Sequence, residues 1–205
     1  MAMSSRQILI SGLFLGIFAV IGTAFVAVTE DSTREKIAEN ERRVLLRNLH
    51  ALLPPEKLDN DIANDTQAIP ASVLLGTESE SLVYRARFLG EPVAVIFNTI
   101  APSGYSGRIH LLVGIYFDGS LAGVRAVKHA ETPGLGDAIE LQKSDWMRGF
   151  DSRSLNHPQS GQWKVKRDGG VFDQFTGATV TPRAVVEAVK NTLLYYQKNA
   201  KTLYD

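Results

Sequence analysis

The chain has 205 residues, 44% of them hydrophobic, enough for one extramembrane domain with its own core plus an anchor. Lys+Arg and Asp+Glu are both 22, so the formal net charge is zero and offers no electrostatic footing for nucleic acid or an acidic substrate. The absence of cysteine excludes disulfides, cysteine-ligated iron–sulfur clusters, c-type haem and a thiol nucleophile, and His50, His110, His129 and His157 lack metal-site spacing.

Ile8–Val28 is a run of 21 residues without a charge. As a helix it spans ~30 Å, the thickness of a bilayer core. Its glycines, Gly12, Gly16 and Gly22, are of a kind that membrane helices tolerate, and they leave room for a second helix to approach. A cleaved signal peptide is the alternative. It would have a shorter apolar core and a small-residue site, which Ala24-Phe25-Val26-Ala27 matches only loosely. Arg6 before the run and Glu30 and Asp31 after it place residues 1–7 as a cytoplasmic tail, although Arg34, Lys36, Arg42 and Arg43 pull the other way.

Asp31-Ser32-Thr33 can cap a new or continuing helix. Ile37, Val44, Leu45, Leu49, Leu52 and Leu53 then recur at helical spacing up to Pro54-Pro55. Polar residues 56–80 read as a connection with little regular structure, so 29–80 is a membrane-proximal helix and linker and 81–205 the main domain. Leu82–Phe88 and Val93–Ile100 flank Gly90-Glu91-Pro92 and predict a hairpin; Ile109–Phe117 and Leu121–Lys128 flank Asp118-Gly119 and predict another. Pro102–Gly107 is turn-rich. Asp137–Arg148 predicts a short helix and Gln162–Lys166 a short strand, with Arg167–Gly170 as the next turn. A last helix runs from about Pro182 to Tyr196, with Thr181 at its N-cap and Pro182 at its first position. The class is α+β: one domain and an N-terminal single-pass transmembrane helix.

The chemistry-bearing stretch is Asp173-Gln174-Phe175-Thr176-Gly177-Ala178-Thr179-Val180-Thr181-Pro182. Gly177 and Ala178 leave the backbone bare beside Thr179, and an anion on Thr179 would lie near a helix N-terminus, whose unpaired N–H groups favour negative charge. Local physics alone also allows an ordinary cap, and the stretch lacks the lysine and spacing of a P-loop.

Asp173-x-x-Thr176-Gly177-Ala178-Thr179 resembles the recognition motif of a flavin transferase, which moves FMN from FAD onto the last threonine. The chain is similar to the FMN-binding domain family. Within it, the chain resembles the G subunit of the Rnf (Rsx) ion-translocating electron-transport complex, a relative of the C subunit of the sodium-pumping NADH:quinone reductase. The likeness covers nearly the whole chain. It includes the anchor, Gly104-Tyr105-Ser106-Gly107, Val113-Gly114-Ile115 before Asp118-Gly119, and His129-Ala130-Glu131-Thr132-Pro133-Gly134-Leu135-Gly136.

The resemblance implies roles. Thr179 accepts FMN covalently as a phosphoester, while the transferase reads Asp173, Thr176, Gly177 and Ala178. Thr176 and Thr181 hydrogen-bond the phosphate. Glu131, Thr132, Gly134, Leu135 and Gly136 lie beside the flavin, with Pro133-Gly134 in a type II turn and Gly136 at a second positive-φ position. Tyr105 lines the pocket, or is a half-buried core residue. His129 is a strand-end residue without assigned chemistry. The resemblance further implies a subunit that has no complete catalytic cycle alone. Its complex sits in the bacterial inner membrane, carries electrons between ferredoxin and NAD and drives ion movement, with this domain on the periplasmic side. The expected partners are the other subunits, the transferase and membrane lipid. Two other readings remain open: a free-standing membrane-anchored FMN-binding reductase, and a non-redox assembly module.

Overall fold

The computed structural model describes residues 5–204, so part of the expected tail 1–7 lies outside the described residues. Helix α1 runs unbroken from Ser5 to Leu52. The cap expected at Asp31-Ser32-Thr33 does not form. No proline or glycine interrupts residues 29–52, and the local hydroxyls bond back along the helix. Thr29 donates to the Phe25 carbonyl and Thr33 to the Thr29 carbonyl, each at 2.8 Å, and Ser32 donates to the Val28 carbonyl. Hydroxyls satisfied by the preceding turn leave no reason for the helix to stop there.

The chain divides into two compact units after Val44. In the first, the apolar side chains of Leu9 to Val28 are all exposed, Phe18 to 71% and Phe25 to 74%. This is the one helix among the described residues long and apolar enough to cross a membrane. No protein surface covers these side chains, so a lipid phase is the medium that would take them out of water. Residues 29–44 are mostly polar, with Ile37 and Val44 exposed and with Arg43 and Glu39 paired at 2.8 Å one turn apart.

The second unit begins at Leu45, well before the expected boundary at residue 81. It contains an antiparallel five-stranded meander in the order β1 (Thr66–Ile69), β2 (Ser81–Phe88), β3 (Glu91–Gly104), β4 (Gly107–Tyr116) and β5 (Leu121–Lys128). Both faces of the sheet are covered. Val95, Phe97 and Val113 join the core formed with helix α2 (Val180–Asn199), while Ala94, Ile96 and Leu112 join Leu49, Leu52, Leu53 and Ile62. Successive residues of a strand face opposite sides, so a centre buried on both faces gives the unbroken apolar runs in β3 and β4. Each fully buried large side chain contributes about 1.5–3 kcal/mol.

The two expected hairpins are present. Phe88 pairs with Glu91 across Leu89 and Gly90, whose φ values of 53° and 80° match the twist of a tight two-residue turn. After β4, the Asp118 carboxylate accepts from the Ser120 amide at 2.8 Å. Pro102–Gly107 is mostly strand, since Gly104 pairs with Gly107 around Tyr105-Ser106.

Elsewhere the expectations need correction. Strand β1 lies inside the stretch read as irregular; only Ile69 of its four residues is buried, so its apolar signal is faint. The expected helix 137–148 is two separate 3-10 turns, Gly136–Ile139 and Trp146–Phe150. Ser144 breaks the run: its hydroxyl donates to the Ala138 carbonyl at 2.6 Å and accepts from the Trp146 amide at 3.2 Å. Expected strand 162–166 reduces to a bridge between Val165 and Phe172. Helix α2 starts at Val180, before the expected Thr181 cap, which places Thr179 at the N-cap and Pro182 inside the first turn.

Candidate functional site

Three loops meet at one end of the sheet: the β3–β4 turn, the segment following β5 and the approach to α2. They enclose a cleft of about 250 Å³ lined by Tyr105, Glu131, Thr132, Leu135, Gly136, Gly177, Ala178, Thr179, Val180 and Thr181.

The loop after β5 is a turn closed on Thr132, whose carbonyl accepts the amides of Leu135 and Gly136 at 3.1 Å each. Gly134 has φ 76°, as the third residue of a type II turn requires. Gly136, expected at a second positive-φ position, is not one among the described glycines. Its requirement is space: a Cβ there would lie 2.8 Å from Glu131 Oε2 and 2.9 Å from Thr181 Oγ1.

The motif before α2 also folds on itself. The Ala178 amide donates to the Phe175 carbonyl at 3.2 Å, and Gly177 between them has φ 81°, where a side chain is strained. The turn delivers Thr179 half-buried to the N-cap of α2, with φ −80°, and its hydroxyl makes no cap bond to the helix. The amides of Val180 and Thr181 fall in the first turn, which has no internal acceptors.

Thr181 is fully buried, and its hydroxyl donates to Glu131 Oε2. The cap role expected for it gives way to this contact. Glu131 is 4% exposed, and its Oε1 accepts from the Ser106 amide at 3.0 Å. Glu131 thus ties all three loops together. Tyr105 is 71% exposed, which rules out a core role and leaves it at the rim. Leu135 and Val180 are about as uncovered as each other, at 43% and 42%.

Three of the expected residues lie outside the lining. Gly134 sits exposed at its loop apex and Thr176 is exposed on the motif turn. Asp173 is exposed, paired with Lys166 Nζ at 2.5 Å, and its carbonyl accepts from the Trp146 indole at 2.8 Å. Val180 went unread in the sequence; an apolar residue placed directly after the motif threonine is the signal that pointed to it. His129 holds its loop by accepting the Glu131 amide on Nδ1 at 3.2 Å and facing Glu140 with Nε2 at 3.3 Å.

The arrangement suits a ligand with an anionic end and a flat apolar body. Uncapped amides of α2 and the free Thr179 hydroxyl meet the first, and the uncovered faces of Tyr105, Leu135 and Val180 meet the second. Among the described residues no lysine, arginine or histidine lines the cleft.

A family model described as an FMN-binding domain matches residues 104–194, a span that contains all three loops, and a model of the RnfG N-terminal region matches residues 1–52. The G subunit of an ion-translocating oxidoreductase complex from Pseudomonas aeruginosa is 48% identical over 98% of this chain and 94% of its own. Its counterpart from Pseudoalteromonas atlantica is 47% identical over 95% of this chain and 90% of its own. The crystal structure of Shewanella oneidensis NqrC shares the fold, with a TM-score of 0.50 and 20% identity over 73% of this chain and 72% of that one. A near-complete match at almost half identity, with an apolar N-terminal helix and an FMN-binding domain in the same order, shows that this chain belongs to the family of G subunits of ion-translocating oxidoreductase complexes.

Proposed function

We propose that this chain is the membrane-bound electron-transfer subunit of a multisubunit ion-translocating oxidoreductase, carrying FMN as a phosphoester on Thr179 Oγ1 and passing electrons between ferredoxin and NAD. The observation that carries the reading is the Thr179 hydroxyl, uncapped at the α2 N-terminus and on the wall of an apolar-rimmed cleft. In this reading the amides of Val180 and Thr181, in the first turn of α2, hold the phosphate, and the cleft residues Tyr105, Leu135 and Val180 flank the ring. A bound flavin supplies one- and two-electron transfer; the protein supplies position and electrostatics. Asp173, Thr176 and Gly177 stand exposed on the motif turn, where a flavin transferase would read them. The working partners are the other subunits of the complex and lipid around α1. The Arg6 side faces the cytoplasm, and residues 45–204 lie on the periplasmic side of the inner membrane.

Intact mass of the chain purified from membranes that contain the transferase tests the attachment. The expected result is a gain of FMN minus water, absent in Thr179→Ala. An unmodified wild-type mass overturns the reading. Protease added outside sealed right-side-out vesicles is expected to cleave residues 45–204; full protection there reverses the orientation.

A further inference from the structure

Glu131 is the one charged residue among the described walls of the cleft, and no basic side chain among the described residues pairs with it. It is 4% exposed and satisfied only by neutral donors, the Ser106 amide at 3.0 Å and the Thr181 hydroxyl. Room for it is built into the sequence. A Cβ at Gly136 would stand 2.8 Å from Oε2; one at Gly104 would stand 2.8 Å from Oε1, though there the Gly107 carbonyl oxygen, at 2.3 Å, already demands a glycine. A buried carboxylate without a counter-ion is costly. As a mere tie between loops, a neutral amide would serve as well.

Resting on the flavin reading above, we propose that Glu131 sets the midpoint potential of the flavin, its charge opposing the negative charge that electrons bring to a ring in this cleft. Glu131 itself is almost wholly buried, so its charge is less screened than one in water, and among the described residues the cleft offers no positive side chain to offset it. The two neutral donors moderate the field of the carboxylate. Removing the charge therefore makes electron uptake easier, whereas removing a donor leaves the charge less compensated and makes uptake harder. Glu131 acts here as a positioning and potential-setting group and exchanges no electrons itself.

The test is a spectroscopic potential titration, with dithionite as reductant, of the detergent-purified full chain loaded with flavin. Glu131→Gln keeps the shape and loses the charge; its midpoint is expected to move positive. Thr181→Val keeps the charge and loses a hydroxyl; its midpoint is expected to move negative. Loosening of the loops alone would move both in the same direction. An unchanged or negative shift in Glu131→Gln overturns the proposal. If that variant fails to load, an unchanged or positive shift in Thr181→Val overturns it. Wild-type chain without flavin in its mass spectrum defeats the flavin reading itself, a result distinct from loaded variants whose potentials do not move.

Discussion

The indole N–H of Trp146 donates to the backbone carbonyl of Asp173 at 2.8 Å, so the first residue of the motif before α2 is anchored from outside the motif. The same ring meets Phe175 edge-on at 5.0 Å between centroids and Phe150 at 5.3 Å. The motif turn is therefore moulded by the 3-10 turn at Trp146–Phe150 as well as by its own glycine.

Trp146→Phe keeps an aromatic ring and removes the donor. Net loss of one hydrogen bond is about 1 kcal/mol. The expected outcome is a modest fall in unfolding temperature together with a smaller fraction of chain carrying flavin by mass. Equal loading in variant and wild type would show that the anchor serves stability alone.

Gly136 and Gly134 sit two residues apart and respond to alanine for different reasons. At Gly136 the new methyl meets Glu131 and Thr181 at under 3.0 Å, a misfit of about 1–3 kcal/mol. At Gly134 nothing lies within 4 Å, and only the φ of 76° is strained, at about 1 kcal/mol. Denaturant unfolding of the two variants is expected to rank Gly136→Ala as the more destabilised, and only Gly136→Ala is expected to disturb the Glu131–Thr181 contact.

Asp65, immediately before β1, ties that strand's start to β2 by accepting from Arg85 Nε at 2.7 Å and Arg87 Nε at 3.1 Å. Burial works against its charge, but the hydrogen bond and charge of Arg85, then the contacts of Arg87 and Asn60, outweigh burial and hold its carboxyl below the ordinary 3.8. The stabilisation is complete above the unfolded value and disappears as pH falls through the lower folded one. Asp65→Asn is expected to lower the unfolding temperature at pH 7, and the gap to wild type is expected to close as pH falls below about 3.8. A gap independent of pH would show that shape rather than charge is what Asp65 contributes.

Thr99 on β3 and Thr192 on α2, both buried, share a hydrogen bond of 2.9 Å. Thr192 also donates to the Ala188 carbonyl at 2.8 Å. Thr192→Val strands the Thr99 hydroxyl, a cost of about 1–3 kcal/mol, whereas Thr99→Val leaves Thr192 bonded to the Ala188 carbonyl and costs about 1 kcal/mol. The double variant is expected to lose less than the sum of the singles, as thermal unfolding of all four proteins would show.

Much of this was legible in the sequence wherever a local pattern and a tertiary need coincide. The hairpin at Asp118-Gly119 follows from turn chemistry that neighbouring strands merely accept, whereas the first hairpin was legible only in outline: its turn is Leu89-Gly90, and Glu91 and Pro92, read as part of the turn, belong to β3. The span Leu9–Val28 follows from hydropathy. Illegible parts were decided by contacts distant in sequence. Thr181 reads as a cap until Glu131, fifty residues earlier, claims its hydroxyl. Gly136 reads as a turn residue, although the constraint is a carboxylate that needs its space. Asp137–Arg148 reads as a helix because nothing in its apolar spacing reveals that Ser144 bonds the backbone on both sides. The proximity of Tyr105, Glu131 and Thr179 depends on a meander that brings three distant loops to one end of the sheet.

That no lysine or arginine among the described residues lines the cleft bears on the ionic state of the proposed cofactor. A phosphate monoester ionises a second time near pH ~6, so free FMN would bring almost two negative charges to the site at neutral pH. An α-helix N-terminus offers roughly half a positive charge. Esterified to Thr179, the same phosphate becomes a diester with a single charge. Bonding to the hydroxyl would thus remove about one unit of anionic charge from a place where a helix end is its main balance, and which it shares with Glu131.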